Sequence, residues 1–224
     1  MKQKKLMVFL SMVLLFSSFI LGTGNAEAST GAAQQDVTKP ELSQETIELA
    51  DPFIILKNNR FVVVDANSLI KVIGKDDFVK VKQELAEKNA VLSGVTSKEF
   101  EAAHVTGNTV EFINETSGFS TLASKGKNGI SVHWWGYKVY LNDNLTNTTA
   151  QALAAGGGGA AIAAIWAPFI SAPTAVVKAV AASAAIVLGG ASAMFYKTNK
   201  GNGVYLRFTG IVPHAVIYTG MFAQ

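Results

Sequence analysis

Asn128-Gly129-Ile130-Ser131-Val132-His133-Trp134-Trp135-Gly136 and Asn202-Gly203-Val204-Tyr205-Leu206-Arg207-Phe208-Thr209-Gly210 follow one pattern. Asn-Gly opens each stretch, aliphatic or aromatic residues recur at every second position, and Gly closes it. Side chains alternate between the faces of a strand, so the pattern predicts two half-buried strands. Each Asn-Gly would turn the chain into its strand, and each closing Gly would permit a bulge or kink. Two such strands, as neighbours in one sheet, would bring together the base of whatever lies between them. An accidental likeness over so short a stretch is the plainer alternative.

What lies between them is unusual. From Ala150 to Tyr196 the only charged residue is Lys178. An Ala/Gly run from Ala150 to Phe169 contains four consecutive glycines, Gly156 to Gly159. Pro168 and Pro173 bracket a turn, and Ala175 to Tyr196 is a second apolar run. Asn142-Asp143 is placed to cap the first run, and the polar stretch from Lys197 to Asn202 ends the second. The pattern predicts a hairpin of two antiparallel helices over residues 150–196.

The hairpin has two readings, a buried core or a membrane-entering element. The second run of 22 residues would be roughly 33 Å long as a helix, against a hydrocarbon core of about 30 Å. Its strong apolar residues contribute roughly −2 to −4 kcal/mol to insertion, and those of the first run only about −1 to −2.4 kcal/mol. Insertion is therefore marginal, which suits a protein released in soluble form that inserts later. Ala181, Ala185, Gly189 and Ala193 form a ladder of small residues, as do Gly156, Ala160 and Ala164. Such ladders let helices pack closely in lipid or in a soluble core. On the membrane reading, the inserting residues are Gly156, Gly159, Ile162, Ile165, Trp166, Pro168, Phe169, Pro173, Lys178, Ile186, Leu188, Gly189 and Phe195. Trp134, Trp135 and Tyr196 would then be the interfacial aromatics, although the two tryptophans are equally suited to burial in the sheet.

Upstream, residues 48–118 predict a small α+β lobe. Pro52 to Leu56 and Arg60 to Val64 are β-branched and aromatic runs joined by Lys57-Asn58-Asn59, the pattern of a hairpin. Asp76 to Leu92 predicts an amphipathic helix with Phe78, Val81, Leu85 and Leu92 inward and Lys80, Glu84, Glu87 and Lys88 elsewhere. Asp76-Asp77 would complement the start of that helix. Thr96 and Glu99 have capping-box spacing, and Thr109 to Ile113 predicts a strand. The Gly/Ser/Lys-rich stretch after Gly118 marks a lobe boundary, with residues 119–224 forming the C-terminal lobe. The fold class expected is α+β, a small N-terminal lobe followed by an Ala/Gly-rich helical hairpin flanked by strands.

The first residues carry an address. Lys2, Lys4 and Lys5 precede an apolar run from Leu6 to Leu21, and Ala26-Glu27-Ala28 is a small-x-small site. Residues 1–28 therefore read as a secretory signal peptide cleaved before Ser29. The apolar run is 16 residues, short of the roughly 20 that span a bilayer. Residues 29–47 read as a flexible polar leader. Removing three lysines and Glu27 leaves the mature chain near +1 rather than the formal +3, which gives no extended basic surface for nucleic acid. The chain has no cysteine, hence no disulfide and no thiolate metal site. No hydrolase elbow, phosphate loop or zinc-protease helix is present. His104, His133 and His214 match no metal-ligand spacing, although His133 and His214 would meet if their strands paired.

A signal peptide, a polar leader and an Ala/Gly-rich hairpin without cysteine resemble secreted bacteriocins of Gram-positive bacteria. The layout is most similar to the large unmodified bacteriocins of the geobacillin type. Small bacteriocins often carry a double-glycine leader, where this chain has a signal-peptidase site. The resemblance implies a secreted antibacterial protein that needs no cofactor. It also implies a target-cell membrane as partner and an immunity protein in the producer. The alternative is a non-catalytic envelope protein that binds through the sheet bearing Trp134 and Trp135, with the hairpin as soluble core.

Overall fold

The computed structural model describes residues 42–114, 125–157, 159–170, 172–174, 176–177, 192–211 and 215–224. The signal-cleavage residues Ala26, Ala28 and Ser29 lie outside the described residues, as do Lys178, Ile186, Leu188 and Gly189. The protein is α+β.

The described chain opens with helix α1, Gln44–Ala50, whose first four residues fall in the stretch expected to be flexible leader. Ser43 caps it, its side chain accepting from Thr46 N–H at 3.0 Å. Leu42 and Ile47, both buried, occupy the two positions of a hydrophobic staple. This local signal is present in Leu42-Ser43-Gln44-Glu45-Thr46-Ile47. After a turn of 3₁₀ helix at Asp51–Phe53 comes the expected hairpin, β1 (Ile54–Lys57) and β2 (Arg60–Val63). Asn58 and Asn59 both have positive φ, 50° and 58°, as a two-residue type I′ turn requires, and asparagine tolerates that conformation best after glycine.

Helix α2 spans Ala66–Ser93 and is broken at Gly74, where φ is 81°. The part after the break carries Asp76 and Asp77 in its first turn, as the sequence predicts, and the part before it is a further segment capped by Asp65, which accepts from Ser68 N–H. Asp77 is not a cap. It accepts from Lys80 Nζ at 2.6 Å and Thr46 Oγ1 at 2.8 Å, and these bonds, led by that from Lys80, hold its carboxyl below the usual range. Val81, Leu85 and Leu92 are buried as the periodicity requires, but so are Glu84 and Lys88. Lys88 Nζ reaches Glu84 Oε2 at 3.3 Å and the carbonyl of Gly210 at 2.8 Å. The pair expected on the helix surface instead pins α2 to the sheet. The Thr96–Glu99 capping box forms on helix α3, Ser97–Glu101.

One antiparallel sheet then takes in β3 (His104–Thr106), β4 (Thr109–Asn114), β5 (Asn128–His133), β6 (Gly136–Leu141), β7 (Val204–Ile211) and β8 (Ala215–Ala223), in that order. The sheet runs straight across the expected lobe boundary, since β4 pairs with β5 over six residues. The two related strands share this sheet, but β6 lies between them. Trp134-Trp135 forms the tight turn from β5 to β6, so that Tyr137 to Leu141 forms a strand of its own. The irregularity in register falls between Arg207 and Phe208, away from the closing glycines.

Leu141, the end of β6, pairs with Val204, the start of β7. Everything between them leaves and re-enters the sheet at adjacent residues. This insertion begins with helix α4, Asp143–Ala154, capped by Asn142 as expected. The first apolar run is not one helix. Gly156 has φ 78°, its N–H donates to Leu153 O, and Gly157 N–H donates to Ala152 O. This pair of bonds is a Schellman stop, which needs a left-handed residue and so favours glycine. The run resumes as α5, Gly159–Trp166, turns through Pro168 and Pro173, and ends in α6, Ser192–Thr198.

Candidate functional site

The sheet has two chemically different faces. Val110, Phe112, Ile130, Val132, Val139, Leu141, Leu206 and Phe208 are all buried on one. The alternate residues, Thr109, Glu111, Ser131, His133, Lys138, Tyr140, Tyr205 and Arg207, share the other, because paired residues in an antiparallel ladder project to the same side. This second face carries an aromatic row, with Tyr140 and Tyr205 centroids 5.7 Å apart and Tyr205 and Phe222 5.0 Å apart. Lys127 Nζ lies 4.1 Å from the Tyr140 ring and Lys138 Nζ 5.4 Å from the Tyr205 ring.

At one end of this face α1 walls a cleft of about 440 Å³, with Gln44, Glu48 and Asp51 facing His133, Trp135, Lys138, Tyr205 and Arg207. The Trp135 ring stacks on His133 at 4.5 Å, and the Arg207 guanidinium lies 4.3 Å from its centroid. Arg207 Nη2 donates to Gln44 Oε1 at 2.6 Å. Asp51 Oδ1 accepts from Trp134 Nε1 and from Asn108 Nδ2, both at 2.9 Å. Trp134 is thus fully buried and Trp135 nearly so. Neither sits as the interfacial aromatic of the membrane reading, because the turn folds both indoles onto protein. Tyr196, the third such residue, is about half exposed at 49%.

His133 bonds at both ring nitrogens, Nδ1 with Thr109 Oγ1 at 3.2 Å and Nε2 with Ser131 Oγ at 3.0 Å. Ser131 also donates to Tyr140 Oη at 3.3 Å. One proton arrangement satisfies the chain: Nε2–H donates to Ser131, and Nδ1 accepts from Thr109. The ring is then neutral. Burial, joined by the charges of Lys138, Arg207 and Lys127, pushes its pKa down to about 3. The Ser–His contact has the spacing of a nucleophile and base, but Ser131 is fully buried and the ring is a weak base. His214, which would have met it, lies outside the described residues. Among the described residues no group of three His, Cys, Asp or Glu side chains gathers to hold a metal.

The insertion residues divide by burial. Ile162, Trp166, Pro173 and Phe195 are buried, and Trp166 Nε1 donates to Thr149 Oγ1 at 2.9 Å. These four face protein rather than solvent, because large apolar side chains close the seam between α4, α5 and α6. Ile165 is half-buried; Gly156, Pro168 and Phe169 are exposed; for Gly159 only its place in α5 is described. Ala154, Ala155, Ala161 and Ala164 are exposed as well, and so are Val177 and Met194. At the base, Asn199 Nδ2 donates to Asp143 Oδ1 at 2.7 Å, and Asn199 Oδ1 accepts from the N–H groups of Gly201 and Gly203. Among the described residues no helix is long and apolar enough to cross a membrane; the stop at Gly156 divides the first run into helices of 12 and 8 residues.

The cleft itself is not legible in the sequence. Its residues come from α1, the β3–β4 turn, β5, β6 and β7, and only the alternation of Lys138, Tyr140, Tyr205 and Arg207 hints at a shared polar face. No protein-family model matches the chain, and no curated protein or solved structure is similar to it.

Proposed function

We propose that this is a secreted antibacterial protein whose Ala/Gly-rich insertion enters and permeabilises the membrane of target cells, the α+β body carrying it in soluble form. The observation that supports this reading is the Leu141–Val204 pairing. An insertion that leaves and re-enters at neighbouring paired residues can swing away without unzipping the sheet. Its outer surface from the end of α4 through α5 and the turn after it includes Ala154, Ala155, Gly156, Ala161, Ala164 and Phe169, alongside the polar Gln151; the small and apolar side chains cost little to move into lipid. Opening would expose Ile162, Trp166 and Phe195, which are buried now. A producing cell would need an immunity protein against it.

Dye release from anionic liposomes by the secreted chain tests this reading. Leakage and killing of related Gram-positive bacteria are expected, and both should vanish in Gly189→Leu and Ile186→Asp with secretion intact. Absence of leakage from the unaltered chain, together with absence of killing, would remove the proposal. A second reading is a non-catalytic envelope-binding protein with the insertion as ordinary core, favoured by the burial of Ile162, Trp166 and Phe195. Retention on purified cell walls without lysis would select it.

A further inference from the structure

Lys138 and Arg207 are direct cross-strand partners on β6 and β7. Like charges placed opposite one another in a sheet repel, and both side chains are half-buried beside Trp135 and Tyr205. The carboxylates around them have other partners. Glu111 bonds Lys127 Nζ at 3.1 Å, Asp51 holds Trp134 and Asn108, and Glu48 accepts from Gln44 Nε2 at 2.6 Å. Among the described residues neither cation has an ion-pair partner, and Arg207 Nε is buried without an acceptor. A fold that sets two cations opposite one another at the floor of a cleft, neither in an ion pair and only partly offset by Glu111, carries an unfavourable term that a bound anion would reduce.

We infer that this cleft binds a phosphate group esterified to a hydroxyl-bearing unit, a polyol or sugar phosphate, with Lys138 and Arg207 on the phosphate. Two positive charges match a phosphate monoester of charge about −1.5 to −2 better than a single carboxylate. The guanidinium, oriented by Trp135 and Gln44, offers the planar fork that phosphate oxygens accept. Tyr205 supplies a ring face for the carbon skeleton. Glu48 and Asp51 on the facing wall would repel a bare polyanion but accept hydrogen bonds from hydroxyls. A phosphate next to hydroxyl groups therefore fits both walls. The inference rests on the cleft alone and stands whether or not the insertion enters lipid.

Calorimetric titration of the secreted chain with glycerol phosphate, inorganic phosphate, acetate and glycerol tests it. Glycerol phosphate should bind with a Kd below about 1 mM, more tightly than inorganic phosphate, with acetate and glycerol weaker still. Lys138→Gln should weaken binding at least about tenfold and also raise the thermal midpoint of the unliganded protein by relieving the repulsion with Arg207. A merely structural lysine would not give that opposed pair of changes. Arg207→Lys keeps the charge but not the fork and should fall between, while Lys57→Gln at the end of β1, outside the cleft lining, should leave binding unchanged. Equal binding of acetate, or glycerol phosphate binding that survives Lys138→Gln, would overturn the assignment. Binding to a soluble glycan bearing phosphate monoesters but not to phosphatidic acid vesicles would place the ligand in the cell wall. The reverse would place it in the lipid headgroup, and either supports the site. Leakage without phosphate binding refutes this inference alone; phosphate binding without leakage refutes only the membrane reading.

Discussion

The sheet body and the insertion between β6 and β7 are held by different physics. The body is tied by polar anchors among its buried residues: Lys88 to Glu84 and Gly210, Asn89 to both the N–H and carbonyl of Phe61, and the Thr109–His133–Ser131–Tyr140 chain. Such bonds tolerate little displacement, because a buried polar group that loses its partner costs more than the bond contributed. Among the described residues the insertion is closed mainly by large apolar side chains, with the Trp166–Thr149 bond, Thr146 Oγ1 donating to Leu141 O at 2.8 Å and Asn199 at its base. Among the described residues its exposed surface along α5 is largely alanine. On the proposed reading the insertion is the part that opens, exposing Ile162, Trp166 and Phe195 at roughly 1.5–3 kcal/mol each, while the body stays closed. The contrast is what an element that moves on a rigid carrier requires.

The largest expected effect tests the body. Glu84→Leu takes the carboxylate away from a buried ammonium and should cost about 3–5 kcal/mol, read by urea denaturation. Adding Lys88→Met should return most of that loss, since an apolar pair replaces an ion pair with little penalty. If the double variant is as unstable as the single, Lys88 is held by something other than this pair.

Acid should weaken the body next. His133 has a folded-state pKa of about 3, below its unfolded value of about 6.5. The unfolded chain therefore takes up a proton first, and stability falls as pH drops from about 6.5 towards 3, then levels for this group. The loss should reach a few kcal/mol at most. In His133→Gln the slope over that window should flatten by about one proton, and an unchanged slope would assign it to other groups. Asp77, whose carboxyl is held low mainly by Lys80, adds a smaller loss at the acid end of the same range.

The smallest effect sharpens the insertion side. Gly156→Ala puts a side chain at φ 78° and should cost about 1–2 kcal/mol. Hydrogen exchange should localise that loss to α4 and α5, with the amides of β5 to β7 unmoved. Equal loosening of the sheet would mean that body and insertion unfold as one unit, contrary to the comparison above.

Features carried by a few consecutive residues are legible in the chain itself. Asn58-Asn59 implies the β1–β2 turn, Thr96 and Glu99 the capping box, Asn142 the start of α4, and alternation the strands β4, β5 and β7. The staple at Leu42 and Ile47 is equally local but hidden in a polar stretch. β6 is also readable, since Tyr137, Val139 and Leu141 alternate with Lys138 and Tyr140, but a strand drawn through Trp134-Trp135 conceals it. The Gly156 stop is visible as a glycine, but an Ala/Gly run offers no cue to where its helix ends.

Caps, turns and alternation depend on bonds spanning a few residues, so the sequence by itself determined them, along with the near-uncharged character of residues 150–196. The tertiary structure decided which strand neighbours which, that Lys88 is buried, and that α1 stands over one face of the sheet. It also set Lys138 opposite Arg207 and Leu141 opposite Val204. Each of these depends on contacts between residues distant in the chain. Cross-strand register and the burial of a long polar side chain are settled by the partner that arrives, which no local pattern encodes.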